Sequence, residues 1–84
     1  MPKFLDHHKM TAPMPSQMAL EIAKGIKAGA VDPKTRVKGL YSLWSKNEAW
    51  CVTDAPNAEA VHKYHEGMGI KLGSGDVTEV STAL

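Results

Sequence analysis

The sequence predicts an α+β fold of the ferredoxin-like type, a β-α-β-β-α-β chain forming a four-stranded antiparallel sheet with two helices on one face. Three observations predict it. Two segments repeat apolar residues at helical spacing, Met18, Ala19, Ile22, Ala23 and Ile26 in one and Ala58, Val61, Tyr64, His65 and Met68 in the other. Each is flanked by short strand-like segments bounded by turn residues. The chain of 84 residues has room for one domain, residues 1–84, and not for two.

The first strand covers residues 4–9. Side chains alternate across a strand, so Phe4, Asp6 and His8 share one face and Leu5, His7 and Lys9 the other. Residues 11–15, with Pro13 and Pro15, form a turn-rich link. Ser16 then caps a helix reaching about residue 28. Gly25 weakens that helix by roughly 1 kcal/mol relative to alanine, and Gly29 is its C-terminal stop. Residues 31–35 are loop, and residues 37–44, rich in leucine and aromatics, are the second strand. Ser45, Lys46, Asn47 and Glu48 make a hairpin turn into the third strand, residues 49–53. Asn57 caps the second helix, which runs to about Gly67. Residues 67–75 hold four glycines and are loop, pinned by Ile70 and Leu72. The last strand is residues 76–81.

Composition narrows the function classes. Hydrophobic residues are 43% and charged residues 23%, a globular balance. The formal net charge is +1 with no basic stripe, which argues against a nucleic-acid partner. No apolar run approaches the ~18 residues a membrane span needs, and the N-terminus lacks the apolar core of a signal peptide. A cytoplasmic location is expected, and membrane association is not. A single cysteine, Cys51, cannot form an internal disulfide. Two helices cover only one sheet face of so small a domain. A second copy packed on the other face would give a dimeric α+β barrel, so a homodimer is expected.

Four histidines carry the chemical interest. Asp6 and His8, two apart on a strand, point the same way, so a carboxylate oxygen and an imidazole nitrogen can converge on one ion; a solvated strand face is the plainer reading. His65 lies within the apolar stripe of the second helix, where an unpaired polar group costs ~1–3 kcal/mol. It is either a ligand or a core histidine bonded to a backbone carbonyl. His62 could chelate with His65 at i, i+3 spacing or simply be exposed. His7 points away from Asp6 and His8 and is a bystander. Cys51 is a small buried hydrophobe unless its pKa is lowered, when its thiolate could bind nickel or zinc. Glu79 on the last strand could supply a further oxygen. Tyr41, Trp44 and Trp50 read as core or dimer contacts. There is no Gly-x-Ser-x-Gly elbow, and Gly73-Ser74-Gly75 lacks the lysine and helix of a phosphate loop.

The chain resembles a family of small nickel-binding proteins with a ferredoxin-like fold, first defined as a domain of unknown function. The resemblance rests on four segments in order. They are Phe4-Leu5-Asp6-His7-His8, the run from Trp50 through Cys51 and the Ala55-Pro56 turn to Val61, the helix reaching His65, and Asp76 to Val80. It departs where some members carry a histidine on the first helix, here near Ile22, and where a further histidine often occurs, here Met68-Gly69. The resemblance implies a homodimer holding a divalent metal through Asp6, His8 and His65, with Glu79 and Cys51 as secondary ligands. Ni(II) is the implied ion, with Zn(II), Co(II) or Cu(II) as alternatives.

Three functions compete on these residues. The first is a metal-binding protein that coordinates Ni(II) through histidine and carboxylate side chains. The second is a small dimeric α+β-barrel enzyme, monooxygenase- or isomerase-like, using His65 as acid or base. The third is an interaction module without a site. A deep apolar pocket beside His65 would favour the second, and a shallow polar site the first.

Overall fold

Four antiparallel strands run in the order β2-β3-β1-β4, with two helices as the crossovers that make this order possible. The elements are β1 (Lys3–Lys9), α1 (Ser16–Ala28), β2 (Lys38–Trp44), β3 (Glu48–Asp54), α2 (Ala58–Gly67) and β4 (Val77–Val80). This computed structural model describes residues 1–9, 16–70, 72–73 and 75–81, so the link expected at residues 11–15 lies outside the described residues. The expected α+β order is the observed one. Boundaries move by a residue or so: β1 and β3 each start one residue earlier, β2 starts one later, and β4 is trimmed at both ends.

The strand pattern obeys its alternation. Phe4, Asp6 and His8 are buried beneath the helices, whereas Leu5 and Lys9 are exposed and His7 is half-buried on the opposite face. Register then fixes neighbours: Asp6 lies opposite Cys51, His8 opposite Ala49, and His7 opposite Trp50. In β2 the register shifts between Gly39 and Tyr41. The extra residue inverts the parity of the rest of the strand, turning Ser42 and Trp44 towards the helices and Tyr41 and Leu43 outwards.

The core gathers under α2. Phe4, Val37, Ala55, Ala60, Val61 and Leu72 form it, with Tyr64, Ile70 and Val77 packed against it. Ile70 and Leu72 thus anchor the glycine-rich loop, as expected. Asn57 caps α2, its side-chain oxygen accepting from the Ala60 N–H at 2.8 Å, a contact worth ~1 kcal/mol. Ala60 faces the core in place of Ala58, which is exposed.

Helix α1 behaves differently. None of its residues is buried, and Met18 and Ala23, expected in its inner stripe, are exposed. It touches down on β2 at Gly39, where a side chain would meet Ile26 Cγ1 at 2.9 Å, so only glycine lets the helix approach. Gly29, at φ +71°, ends it as expected. Among the described residues, no helix is long and apolar enough to cross a membrane.

Candidate metal centre

Strand parity, strand register and one helical turn together build the site. Parity puts Asp6 and His8 on the helix-facing side of β1. Register sets Cys51 of β3 directly across from Asp6. Helix α2 lowers His65 onto the same spot, four residues after Val61, whose side chain is fully buried in the core. The result is a group of two imidazoles, one thiol and one carboxylate whose ligand atoms all lie within 4.8 Å of one another.

The contacts inside the group are specific. Asp6 Oδ1 lies 3.2 Å from His8 Nε2 and 3.3 Å from His65 Nε2. Cys51 Sγ lies 3.6 Å from His8 Nε2. Asp6 is 0% exposed, His8 3% and His65 1%, while Cys51 is less fully covered. Neither oxygen of Asp6 has an aligned hydrogen bond among the described residues, nor does His8 Nδ1. A buried carboxylate in that condition is costly unless something charged satisfies it. His65 Nδ1 lies 2.8 Å from the Val61 carbonyl oxygen. A carbonyl only accepts, so Nδ1 carries a proton, and Nε2 is the ring atom that faces Asp6 and Cys51.

Without an ion, the group compensates itself by proton sharing. Burial alone would lower His8, but Asp6 and Cys51 outweigh it and raise its pKa to about 9. Burial likewise opposes protonation of His65, and Asp6 and Cys51 raise it to about 10. Burial pushes Asp6 up, yet the two histidines hold it below the ordinary carboxylate value. The Cys51 thiol is also raised by burial and brought below its usual value by His65 and His8. The two histidines and the two acidic groups thus favour one another's charged forms, and a divalent cation would take the place of protons on the histidines.

The spacing suits such an ion. Tetrahedral coordination with ordinary bond lengths places nitrogen and oxygen ligands about 3.3 Å apart and nitrogen and sulfur about 3.5 Å apart. Three of the six separations are 3.2, 3.3 and 3.6 Å, and all lie within 4.8 Å.

Asp6, His8, Cys51 and His65 therefore come together. Glu79, expected as a further oxygen donor, does not: it pairs with Phe4 at the far end of β1, is exposed, and stands outside the group. His62 is partly buried on α2 and also stands outside it, so it does not chelate with His65. His7 stacks on Trp50 across the other sheet face, with ring centroids 4.9 Å apart and planes 3° from parallel, and its Nε2 is 3.0 Å from Glu48 Oε1. The Val61 carbonyl is the backbone partner expected for a core histidine at position 65. One supporting feature goes beyond the sequence reading: Trp44, whose indole meets the His8 ring edge to face at 6.3 Å, depends on the shift within β2, which carries no sequence signal.

The cluster borders a cavity of about 60 Å³ between α1 and the sheet. His8, Cys51 and His65 line it, with Ile22 and Ile26 of α1 and Trp44 of β2 among its apolar residues.

No family model matches the chain, and no curated protein matches it. Among solved structures, SCO4226 from Streptomyces coelicolor A3(2) is similar with a TM-score of 0.72 and 23% identity, over 98% of this chain and 99% of that one. At that identity the likeness establishes the shared fold.

Proposed function

We propose that this protein binds a divalent transition metal through Asp6, His8, Cys51 and His65, as a cytoplasmic homodimer. The observation that carries the reading is Asp6: fully buried, neither oxygen engaged in an aligned hydrogen bond, and facing two imidazole nitrogens and a thiol. A cation is the group such a carboxylate lacks. A reducing compartment suits a ligand set that needs Cys51 as a free thiolate. The outer sheet face supports the homodimer. Leu5, Tyr41 and Leu43 are exposed there, at 37%, 69% and 64%. Apolar side chains grouped on one face mark an association surface.

Nickel(II) is the ion implied by the sequence resemblance, and its affinity for nitrogen and sulfur ligands ranks above that of cobalt(II). Three of the ligand separations are those of tetrahedral zinc(II) or cobalt(II), and the group as a whole spans no more than 4.8 Å, whereas nickel(II) would draw further ligands to complete its sphere. Titrating metal-stripped protein with Ni(II), Zn(II), Co(II) and Cu(II), followed by calorimetry, tests the reading. Saturation at one ion per subunit, with a rise in thermal stability, is expected. Failure of every ion to bind would overturn it.

One observation sustains the enzyme reading beside this one. An apolar cavity does lie against His65, the feature an acid–base site there would need.

A further inference from the structure

Three of the four proposed ligands, His8, Cys51 and His65, line the cavity, and Asp6 does not. The cluster is therefore closed on the Asp6 side, where the strand backbone and core lie, and borders open space on the other. Four protein ligands alone would close a tetrahedral sphere, so a further ligand must expand it to five, and that needs space of this kind on an unblocked side. Helix α1 explains how the space arises. It rests on Gly39 through Ile26, has no buried residue of its own, and bridges the gap with Ile22, Gly25 and Ile26.

Size and charge then limit what fits. About 10–15 Å³ of such volume holds one water molecule, so a cavity of about 60 Å³ takes a ligand of roughly four or five non-hydrogen atoms. A divalent ion held by a thiolate, a carboxylate and two neutral imidazoles has no net charge left. An anion entering there would bring an uncompensated charge into an apolar enclosure, which is unfavourable. A neutral oxygen donor with a short apolar tail meets neither obstacle.

We propose that the metal centre accepts, from the α1 side, one small uncharged oxygen-donor ligand: a short alcohol, carbonyl compound or amide. The proposal rests on the metal-binding reading above and adds the ligand class to it.

Propanamide and propanoate make a matched pair of probes, nearly identical in shape and differing in charge. The protein is loaded with Co(II), whose visible absorption reports its coordination, and each probe is titrated in turn. Propanamide is expected to change the spectrum saturably and at least about tenfold more tightly than propanoate. Gly25 offers the control, because it lines the cavity and a side chain added there meets nothing within 4 Å. Gly25→Leu should leave Co(II) uptake at one ion per subunit and abolish the propanamide response, with Gly25→Ala intermediate. If Co(II) does not bind, the metal-binding reading fails. If Co(II) binds and propanamide leaves its spectrum unchanged, or propanoate binds more tightly, this proposal fails while that reading stands. A propanamide response that survives Gly25→Leu also overturns it.

Discussion

His7 and His8 are adjacent in the chain and live in different chemistry. His8 faces the helices, almost wholly buried, with its Nε2 3.2 Å from Asp6 and 3.6 Å from Cys51. His7 faces away, half-buried, stacked on Trp50 and beside Glu48. The two faces of one sheet thus treat the same residue type oppositely. On the inner face water is excluded, every polar atom must find a partner, and three elements supply groups that converge. On the outer face solvent is near, partners are pairwise, and the apolar residues around the histidine have surface to offer a second chain. The contrast teaches that burial makes the cluster: identical side chains become ligand candidates only where solvent cannot satisfy them.

The largest effect should come from emptying the inner face. Changing His8 and His65 together to alanine removes both imidazoles. Losing a single group that merely supports a ligand costs 10–100-fold in metal affinity, so losing two ligands should weaken binding by more than about a hundredfold. Calorimetric titration of the double variant checks this, and uptake equal to that of the unaltered protein would refute the ligand assignment. The variant should fold, since the core under α2 is formed by Phe4, Val37, Val61 and their neighbours. A far-ultraviolet circular dichroism spectrum settles that point, with His8→Gln as the gentler substitution.

The second effect is the response to pH, which the inner face should dominate. In metal-free protein both histidines are raised from 6.5, His8 to about 9 and His65 to about 10. The folded state therefore holds protons that the unfolded chain releases. Their contribution to stability is complete below about pH 6.5 and disappears as pH rises through 9 to 10. Asp6 acts in the opposite direction. Its lowered pKa adds stability above the ordinary carboxylate value that is lost as pH falls through its own folded pKa. Metal binding must displace the imidazolium protons, so apparent affinity should climb with pH over the same interval in which the metal-free fold weakens. Thermal unfolding from pH 5 to 10, with and without Zn(II), gives both curves. Parallel curves would mean that these histidines are not the groups displaced.

How far the contrast is legible in the sequence depends on which physics each residue needs. Alternation along a strand is local, so the opposite facing of His7 and His8 comes from their spacing alone. The helical stripe likewise brings His65 inward, and the Asn57 cap locates the start of α2. Cys51 reads as a secondary ligand because its meeting with Asp6 is a matter of register between β1 and β3, which no local pattern encodes. Glu79 reads as a further oxygen donor for the same reason, since pairing sets it opposite Phe4, two residues along β1 from Asp6. The shift at Gly39–Tyr41 is invisible too, and with it the inward turn of Trp44 and the outward turn of Tyr41 and Leu43. Helix α1 shows an amphipathic stripe, but nothing in that stripe reveals that the helix spans a cavity.

A third, smaller effect belongs to the outer face. Leu43 is 64% exposed and lies opposite Trp50 in register. Leu43→Glu should place a charge on the proposed dimer contact and convert the protein from twice to once the chain mass. Sedimentation checks it. Metal stoichiometry per chain should not change, because the four proposed ligands lie together within a single chain. Loss of both together would mean that the faces are coupled through the sheet.

The smallest effect sharpens the comparison most. His7→Ala removes the stack on Trp50 and the contact with Glu48, interactions at a partly exposed surface. Aromatic pairs contribute about 0.5–1.5 kcal/mol, and exposed ion pairs less. The loss in chemical denaturation should therefore be about 0.5–1.5 kcal/mol, with metal affinity unaltered. His7 and His8 share their chemistry and differ by one step of the pleat, so the pair of single variants isolates the effect of facing. A fall in metal affinity with His7→Ala comparable to that with His8→Ala would show that the outer face reaches the cluster, and that solvent exclusion alone does not separate the two histidines.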